Sequence, residues 1–487
     1  MPTTRCDVAV VGAGPAGAAA AVTAARSGAR VVLVDAEARP GGQYWRHGPG
    51  GGQPAEHVHQ WRELNRRLEQ ALASGRLVHL SRSRVWRVDA APAGPVRAQI
   101  VRSVRGGEEA ATVEAGALVL APGAHDRVLP FPGWDLPGVV TAGAAQALLK
   151  EHGVLAGSRA VVAGTGPFLL PVATALAEAG TRVVEVDEAG DGRGWARGWR
   201  AAAGSPRKIA DGARYGALLA RHRVPVHLRN AVVAAHGDDR LESVTVARLD
   251  DRWRPLPGTT REVTCDVAAV SYGFVARLEL ALHLGCATTP GPDGAPAVEV
   301  DAVGRTSVPG VLAAGEVTGI GGADLALVQG ALAGTAAAAV AAGREPAPPH
   351  PAVAARRERM ASFAAAMHRA HPVADGWTGW LTDDTVACRC EEVRVADVRE
   401  AVTELGATDP RTVKLLTRAG MGWCQGRICG PAIAAITADA TGRALDPYAD
   451  LLGSAARPVA IPVPLGIVAV ADATPSPPPV PDSGGSS

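Results

Sequence analysis

Four cysteines near the end of the chain carry the plainest chemistry. Cys388 and Cys390 stand one residue apart, 33 residues intervene, and Cys424 and Cys429 close the set as Cys-x4-Cys. Four thiolates suit either a [2Fe-2S] cluster or zinc in number and softness. Zinc sites commonly take Cys-x2–4-Cys in each pair, and Cys-x-Cys is tighter than that. Gly426 and Gly430 let backbone N–H groups approach sulfur. Pro431 opens a helix whose N-terminus faces Cys429, which favours the thiolate. Cys6, Cys265 and Cys286 are scattered singly, so no thiol pair offers the exchange chemistry of a disulfide reductase.

A second chemistry sits at the other end. Gly12-Ala13-Gly14-Pro15-Ala16-Gly17 is a GxGxxG turn after a Val-rich run, and Asp35 closes the next such run 23 residues after Gly12. The first glycine makes the tight turn, the second lets the backbone approach a pyrophosphate, and the third lets the helix pack on the strand. The helix N-terminus supplies oriented N–H groups for phosphate, and Asp35 can accept from ribose hydroxyls. The pattern recurs at 159–187 with Gly164, Gly166 and Asp187, again 23 residues from first glycine to acid. Leu169 stands where the third glycine would be. This second site therefore reads either as an NAD(H) site or as a degenerate domain kept for structure or for an adenine nucleotide. No basic residue lies directly beside Asp187, which favours NAD over NADP if either binds.

Two strand–helix–strand units imply two doubly wound nucleotide domains in an α/β fold. The chain of 487 residues has room for about three units. The expected order is a first dinucleotide-binding part over 1–150, an inserted second dinucleotide domain over 151–260, and the rest of the first domain over 261–345. A linker over 346–380, a small helical metal domain over 381–450, an arm over 451–470 and a disordered Pro/Ser/Gly-rich tail over 471–487 complete it. Residues 117–123 and 308–316 read as short buried strands, and the Gly-rich segment 41–60 as an exposed loop. In the metal domain, Val398, Ala401, Val402 and Leu405 share one helical face that stops at Gly406, and Asp409-Pro410 starts the next helix.

Composition narrows the function. Lys+Arg is 49 against Asp+Glu 48, a net charge of +1, which excludes nucleic-acid binding through bulk charge. The clustered cysteines and the strand-like run from Asp7, with no charged and apolar leader before it, read as a cytoplasmic protein. The longest uncharged run, Leu325 to Gly343, is mostly Ala and Gly with Gln329 inside, and reads as a helix buried all round, not as a membrane span.

Further stretches carry a family resemblance. They are Gly41-Gly42-Gln43, the segment ALVLAPGAHDRVLPFPGW at 117–134, and TSVPGVLAAGEVTGIGGA at 306–323. With the glycine turns they resemble the flavoproteins with two dinucleotide domains. The resemblance implies FAD on Gly12, Gly14, Pro15, Ala16, Gly17 and Asp35. It implies further contacts from Gly42 and Gln43, from Ala121 and Gly123, and from Gly315 and Glu316, with Glu316 where the family usually has an Asp for the ribityl chain. Pro122 replaces the family's usual Thr. VACRCEEV at 386–393 and TRAGMGWCQGRICGP at 417–431 are similar to the [2Fe-2S] domain of the bacterioferritin-associated-ferredoxin type. The whole, including RPVAIPVPLG at 457–466, resembles the large subunit of opine oxidases and the flavoprotein subunits of hydrogen cyanide synthase and of dye-linked proline and hydroxyproline dehydrogenases. That resemblance implies FAD and [2Fe-2S], with NAD(H) or an adenine nucleotide left open for the second domain. It also implies a partner flavoprotein similar to D-amino-acid oxidase, a small ferredoxin-like subunit, and a small amine or amino acid as substrate.

No general base, nucleophile or substrate clamp stands out. His125 and Arg127 read as loop or surface residues, and Glu391 and Glu392 as a solvated face. Three functions remain: an electron-relaying subunit of an amine- or amino-acid-oxidising enzyme, a self-contained NADH reductase, and a metal-binding assembly subunit with a vestigial flavin domain.

Overall fold

The structure is a computed structural model that describes residues 2–52, 57–90, 94–455, 457 and 459–472. The tail expected to be disordered lies, beyond Asp472, outside the described residues. The first sheet runs in the order Leu77–Leu80, Val31–Val34, Thr3–Val11, Gly107–Leu120, with Val311–Ala313 pairing on the end of the last. These pairings are parallel, and Val31–Val34, Val311–Ala313 and the inner ends of Thr3–Val11 and Gly107–Leu120 are Val/Leu/Ala runs buried on both faces, as helix-covered parallel sheets require. The long strand Gly107–Leu120 also pairs antiparallel with Val96–Val104, and that strand with Ser83–Asp89. The two short buried strands expected at 117–123 and 308–316 are therefore neighbours in one sheet.

The uncharged run forms the helix Ala323–Ala341, long and apolar enough to cross a membrane by length and composition. Here it lies along the helix Pro15–Arg26. A Cβ on Gly330 would collide with the Ala16 carbonyl, and one on Gly334 with that of Ala20. The small residues of this run thus allow two helix backbones to touch beside the first glycine turn.

The second sheet has the order Val226–Leu228, Arg182–Glu188, Arg159–Gly164, Val267–Ser271, Val139–Thr141. Two of its strands, Val139–Thr141 and Val267–Ser271, lie beyond the boundaries expected for this unit. Residue 150 falls inside the helix Ala142–His152 that follows Val139–Thr141, and residue 260 precedes the inner strand Val267–Ser271. A three-stranded antiparallel layer, Asn230–His236, Ser243–Arg248 and Arg261–Thr264, packs against it.

Two other expectations are corrected. The segment 346–380 is not a linker along its length: Pro351–Ala370 is a helix with Pro at its start, and Asp375–Trp380 a short 3-10 turn. The helix is anchored by Arg357 donating to the Ala302 carbonyl at 2.7 Å and His368 Nε2 donating to that of Ile320 at 2.8 Å. The Gly-rich segment 41–60 is not simply exposed, because Trp45 is fully buried and packs on Trp61.

The metal domain forms the helices Val395–Thr403, Pro410–Thr417 and Gly430–Ala440. Asp409 caps the second, accepting from the N–H groups of Arg411 at 2.9 Å and Thr412 at 3.0 Å. Val398 and Ala401 are buried as their spacing predicts, whereas Leu405 falls after the helix end and is 58% exposed. This domain shares one hydrophobic core with the second dinucleotide unit, through Trp134, Trp253, Trp377 and Trp380. Trp134 Nε1 donates to the Val386 carbonyl at 2.6 Å and Trp380 Nε1 to that of Trp253 at 2.8 Å. Each buried indole contributes roughly 1.5–3 kcal/mol, so the cysteine domain is built into the body of the molecule.

Candidate functional site

Both glycine turns open into one cavity of about 2070 Å³, which also reaches the wall of the cysteine domain at Arg427. In the first turn Gly12 has φ +96, and a Cβ there would collide with the Ala121 carbonyl. Gly17 admits no side chain because its Cβ would collide with the Gly12 carbonyl. Gly14 differs: it precedes the helix Pro15–Arg26 with an extended backbone, and the nearest protein atom to a Cβ there is 4.0 Å away. Its missing side chain leaves space on the cavity side, where a pyrophosphate would approach the helix N-terminus.

Asp35 is buried and fixes this turn. One of its oxygens accepts from Ala13 N–H, the other from Glu37 N–H at 2.7 Å. Burial pushes its pKa up, against those two bonds and the positive charge of Arg277. Each oxygen keeps a further lone pair for a ribose hydroxyl, and Asp35 lines the cavity. Gly42 closes on Gly14, where a Cβ would come within 2.8 Å of the Gly14 Cα, and Gln43 accepts from Arg46. Ala121, Pro122 and Gly123 form the cavity wall across from the turn, with Gly123 at φ +78 despite the proline before it. Gly315, at φ +81, fits against Ala16, where a Cβ would meet the alanine Cβ at 2.7 Å. Glu316 also lines the cavity, but its carboxylate accepts from Gly321 N–H at 3.0 Å and Gly322 N–H at 2.9 Å, and burial pushes its pKa up. The set brought together is thus Gly12, Gly14, Pro15, Ala16, Gly17, Asp35, Gly42, Gln43, Ala121, Gly123, Gly315 and Glu316. Its geometry fits an extended dinucleotide.

The second turn departs from its expected reading at the acid. Gly164 pairs across the strands with Glu188, not Asp187, because a bulge between Val183 and Glu185 shifts the register by one. A one-residue shift turns a side chain to the opposite face. Glu188 therefore takes the place that Asp35 takes in the first site. It accepts from Thr165 Oγ1 at 2.7 Å, Gly166 N–H at 2.8 Å and Gly190 N–H at 2.8 Å, and lies 3.5 Å from His371 Nδ1. Burial raises its pKa, but the His371 contact and the bonds from Thr165 and Gly190 outweigh that and hold it below the usual carboxylate range.

Asp187, expected on ribose, instead faces the antiparallel layer. It is fully buried beside Glu185, with Asn230 Nδ2 at 3.5 Å and Arg261 at 3.6 Å, and burial together with Glu185 pushes its pKa up to about 8. Leu169 is 1% exposed in the domain core. Pro167 has no N–H to offer, and the amides of Leu169 and Leu170 turn back to the carbonyls of Gly166 and Pro167 at 3.3 Å. Gly164 and Gly166 keep φ values of +139 and +103, but the helix start behind them presents little to a phosphate.

The cysteines come from the strand Val386–Cys388, the turn after it, and the loop before the helix Gly430–Ala440. Among the described residues no closed cage of metal ligands is preformed. The sulfurs instead form a chain of contacts from Cys388 to Cys429, to Cys424, to Cys390. The hydrogen bond from Cys429 lowers Cys388 to about 6, helped by the amides of Gly420, Glu391 and Cys390. The same donor lowers Cys424 to about 5, helped by the amides of Ile428 and Gly426. Cys429, as shared donor, is raised, and burial raises Cys390. Four sulfurs in mutual contact, three of them met by backbone N–H groups, suit a cluster with thiolate ligands. The other thiols are inert by contrast: burial pushes both Cys6 and Cys265 up to about 12.

Sequence reasoning missed the residues that join the two centres. His125 Nε2 donates to the Arg427 carbonyl at 2.9 Å, inside the Cys424-to-Cys429 loop. The Arg427 side chain donates to Glu279 Oε1 at 2.6 Å and to the Ala460 carbonyl at 2.6 Å. Burial and the charge of Arg277 lower His125 to about 4, so its ring is neutral. These residues are hundreds of positions apart in sequence, and no local pattern marks them. Glu391, read as part of a solvated face, accepts from Arg418 Nε at 2.9 Å.

Fold and site together define a flavin oxidoreductase with an iron–sulfur domain. Residues 6–343 match the pyridine nucleotide-disulphide oxidoreductase family and residues 386–439 the BFD-like [2Fe-2S] binding domain. The chain belongs to the pyridine nucleotide-disulphide oxidoreductase family, and its cofactors are FAD and a [2Fe-2S] cluster. It is 35% identical over 430 residues to hydrogen cyanide synthase subunit HcnB of Pseudomonas aeruginosa, covering 86% of this chain and 90% of that protein. It is 32% identical over 452 residues to an opine oxidase subunit of Agrobacterium tumefaciens, covering 88% and 85%. The fold is that of L-proline dehydrogenase from P. horikoshii, with a TM-score of 0.63 at 20% identity over 96% of this chain and 80% of that one.

Proposed function

We propose that this chain is the electron-relaying subunit of an enzyme that oxidises an amino acid, imino acid or opine-like secondary amine. The oxidation takes place on a partner flavoprotein of the D-amino-acid-oxidase kind, in a complex that can include a small ferredoxin-like subunit. The observation that carries the reading is the direct bonding of the cysteine loop to the wall of the flavin cavity through His125, Arg427 and Glu279. Relatives named as subunits of an opine oxidase and of a hydrogen cyanide synthase support it.

When bound, FAD takes up two electrons together and releases them singly, and the cluster carries one at a time. The chain's own residues bind, orient and insulate. The first glycine turn and the helix Pro15–Arg26 hold the pyrophosphate, and Asp35 keeps the turn closed while facing the ribose. Gly42, Gln43, Ala121, Gly123, Gly315 and Glu316 line the remaining length of the dinucleotide. Cys388, Cys390, Cys424 and Cys429 ligate iron, and the amides of Gly420, Gly426 and Ile428 offset the sulfur charge. Neutral His125 fixes the Arg427 carbonyl, so the loop bearing two ligands keeps one position against the flavin domain.

The second reading is an NADH reductase, favoured by the intact Gly164 and Gly166. Against it stand the inward-facing Asp187, the Glu188 carboxylate engaged by three donors and His371, and the self-bonded start of the following helix. The test is reconstitution. The chain alone is expected to show no amine-dependent dye reduction, and the partner flavoprotein is expected to restore it. Amine turnover by the isolated chain would overturn the relay assignment.

A further inference from the structure

The arm that follows the cysteine domain carries RPVAIPVPLG at 457–466, beyond the matched [2Fe-2S] region. Its first residue, Arg457, is unusual. The side chain is 6% exposed, and its Nε and Nη1 have no hydrogen-bond partner. Its Nη2 stands 3.4 Å from the position of a Cβ on Gly426, in the middle of the Cys424-to-Cys429 loop. The nearest carboxylate is Glu279, 4.0 Å from Nη1, and that oxygen already accepts from Arg427 at 2.6 Å. Arg277 faces the same Glu279 from the flavin side. Lys414 also feels both Arg457 and Cys429. One carboxylate thus serves several cations, and the protein leaves positive charge uncompensated beside the four sulfurs.

A buried guanidinium with two unbonded nitrogens and one distant, shared carboxylate is costly to desolvate unless a further opposite charge offsets it. A [2Fe-2S] cluster on four thiolates is anionic when oxidised and gains one further negative charge on reduction. We propose that Arg457, held by the C-terminal arm, is a positioning residue that supplies the buried counter-charge of the cluster and sets its reduction potential. The arm is placed for this by Ala460, whose N–H donates to the Trp86 carbonyl at 2.8 Å and whose carbonyl accepts from Arg427. Ile467 packs with Trp86 and Val101 on the antiparallel strands of the flavin domain. The cluster would accept one electron from the flavin and pass it on, with Arg457 chemically unchanged. Its charge favours the more negative, reduced state.

The test is an anaerobic redox titration of the full chain, with the cluster followed by electron paramagnetic resonance and the flavin by absorbance. Arg457→Gln is expected to retain iron and flavin and to shift the electron distribution about tenfold or more away from the cluster, a fall of about 59 mV for one electron. Arg457→Lys, which keeps the charge, is expected to recover most of the shift. Glu279→Gln removes the competing carboxylate and is expected to raise the potential. An unchanged cluster potential in Arg457→Gln with iron retained would overturn the proposal. If Arg457→Gln loses its iron, Glu279→Gln decides: an unchanged or lowered potential there overturns it as well.

Discussion

Gly14 separates what the first turn does for the fold from what it does for the cofactor. Its backbone is extended, at φ −69 and ψ −173, which any residue adopts, and an added Cβ has no protein atom closer than 4.0 Å. Gly14→Ala therefore costs the empty protein only the weaker helix cap, a few tenths to about 1 kcal/mol. The same methyl group stands where the pyrophosphate must meet the helix amides. Displacing one or two charge-assisted N–H bonds, worth about 1.5–3 kcal/mol each, weakens flavin binding roughly 100-fold. Gly17→Ala is the contrasting variant, since its Cβ would collide with the Gly12 carbonyl and damage the fold with or without cofactor. The assay pairs the melting temperature of flavin-stripped protein with a flavin-binding titration. Gly14→Ala should melt within a few degrees of wild type and bind flavin poorly, while Gly17→Ala should fail on both. Wild-type flavin affinity in Gly14→Ala, or a melting loss as large as that of Gly17→Ala, refutes the reasoning.

Cys424→Ser should lose most of the iron and its visible absorbance, whereas Cys286→Ser, at a buried thiol far from the cluster in sequence, should retain both; equal iron in the two variants would remove Cys424 from the ligand set. Asp187 has a folded pKa raised to about 8, so its neutral form is favoured in the native state. Its stabilising contribution is complete below the ordinary carboxylate pKa and is lost as pH rises from about 4 to about 8. Asp187→Asn should flatten that stretch of the stability curve and gain on the order of 2–4 kcal/mol at pH 8, measured by urea unfolding at several pH values; an unchanged slope contradicts the assignment. Glu188→Ala strands the Thr165 hydroxyl and the Gly166 and Gly190 amides and should cost about 2–4 kcal/mol with flavin content intact. A loss of flavin in that variant would tie Glu188 to the first site instead.

Much of this molecule was legible because its chemistry lies in local spacing. The glycine turns, the Val-rich strands and the four cysteines are short patterns that read the same in sequence and in space. Other features depend on information that sequence does not carry locally. Equal 23-residue spacings suggested that Asp35 and Asp187 were equivalent, but spacing cannot register a bulge, and the one between Val183 and Glu185 transfers the role to Glu188. The proline-rich start of the segment 346–380 reads as a linker, yet Pro351 is compatible with the first position of the helix Pro351–Ala370 that follows. Trp45 was hidden within a glycine-rich stretch whose composition spoke for exposure. His125, Arg427, Glu279 and Arg457 converge from four distant segments, and only the packing of the cysteine domain against both dinucleotide units brings them together.

On the proposed function, electrons reach this chain from a partner flavoprotein and not from a nicotinamide. An anaerobic NADH titration of the purified chain, followed by visible absorbance with dithionite as the positive control, tests it directly. The expected result is flavin and cluster bands that dithionite bleaches and NADH leaves unchanged. Rapid bleaching of both bands by stoichiometric NADH would contradict it and make the chain a self-contained reductase.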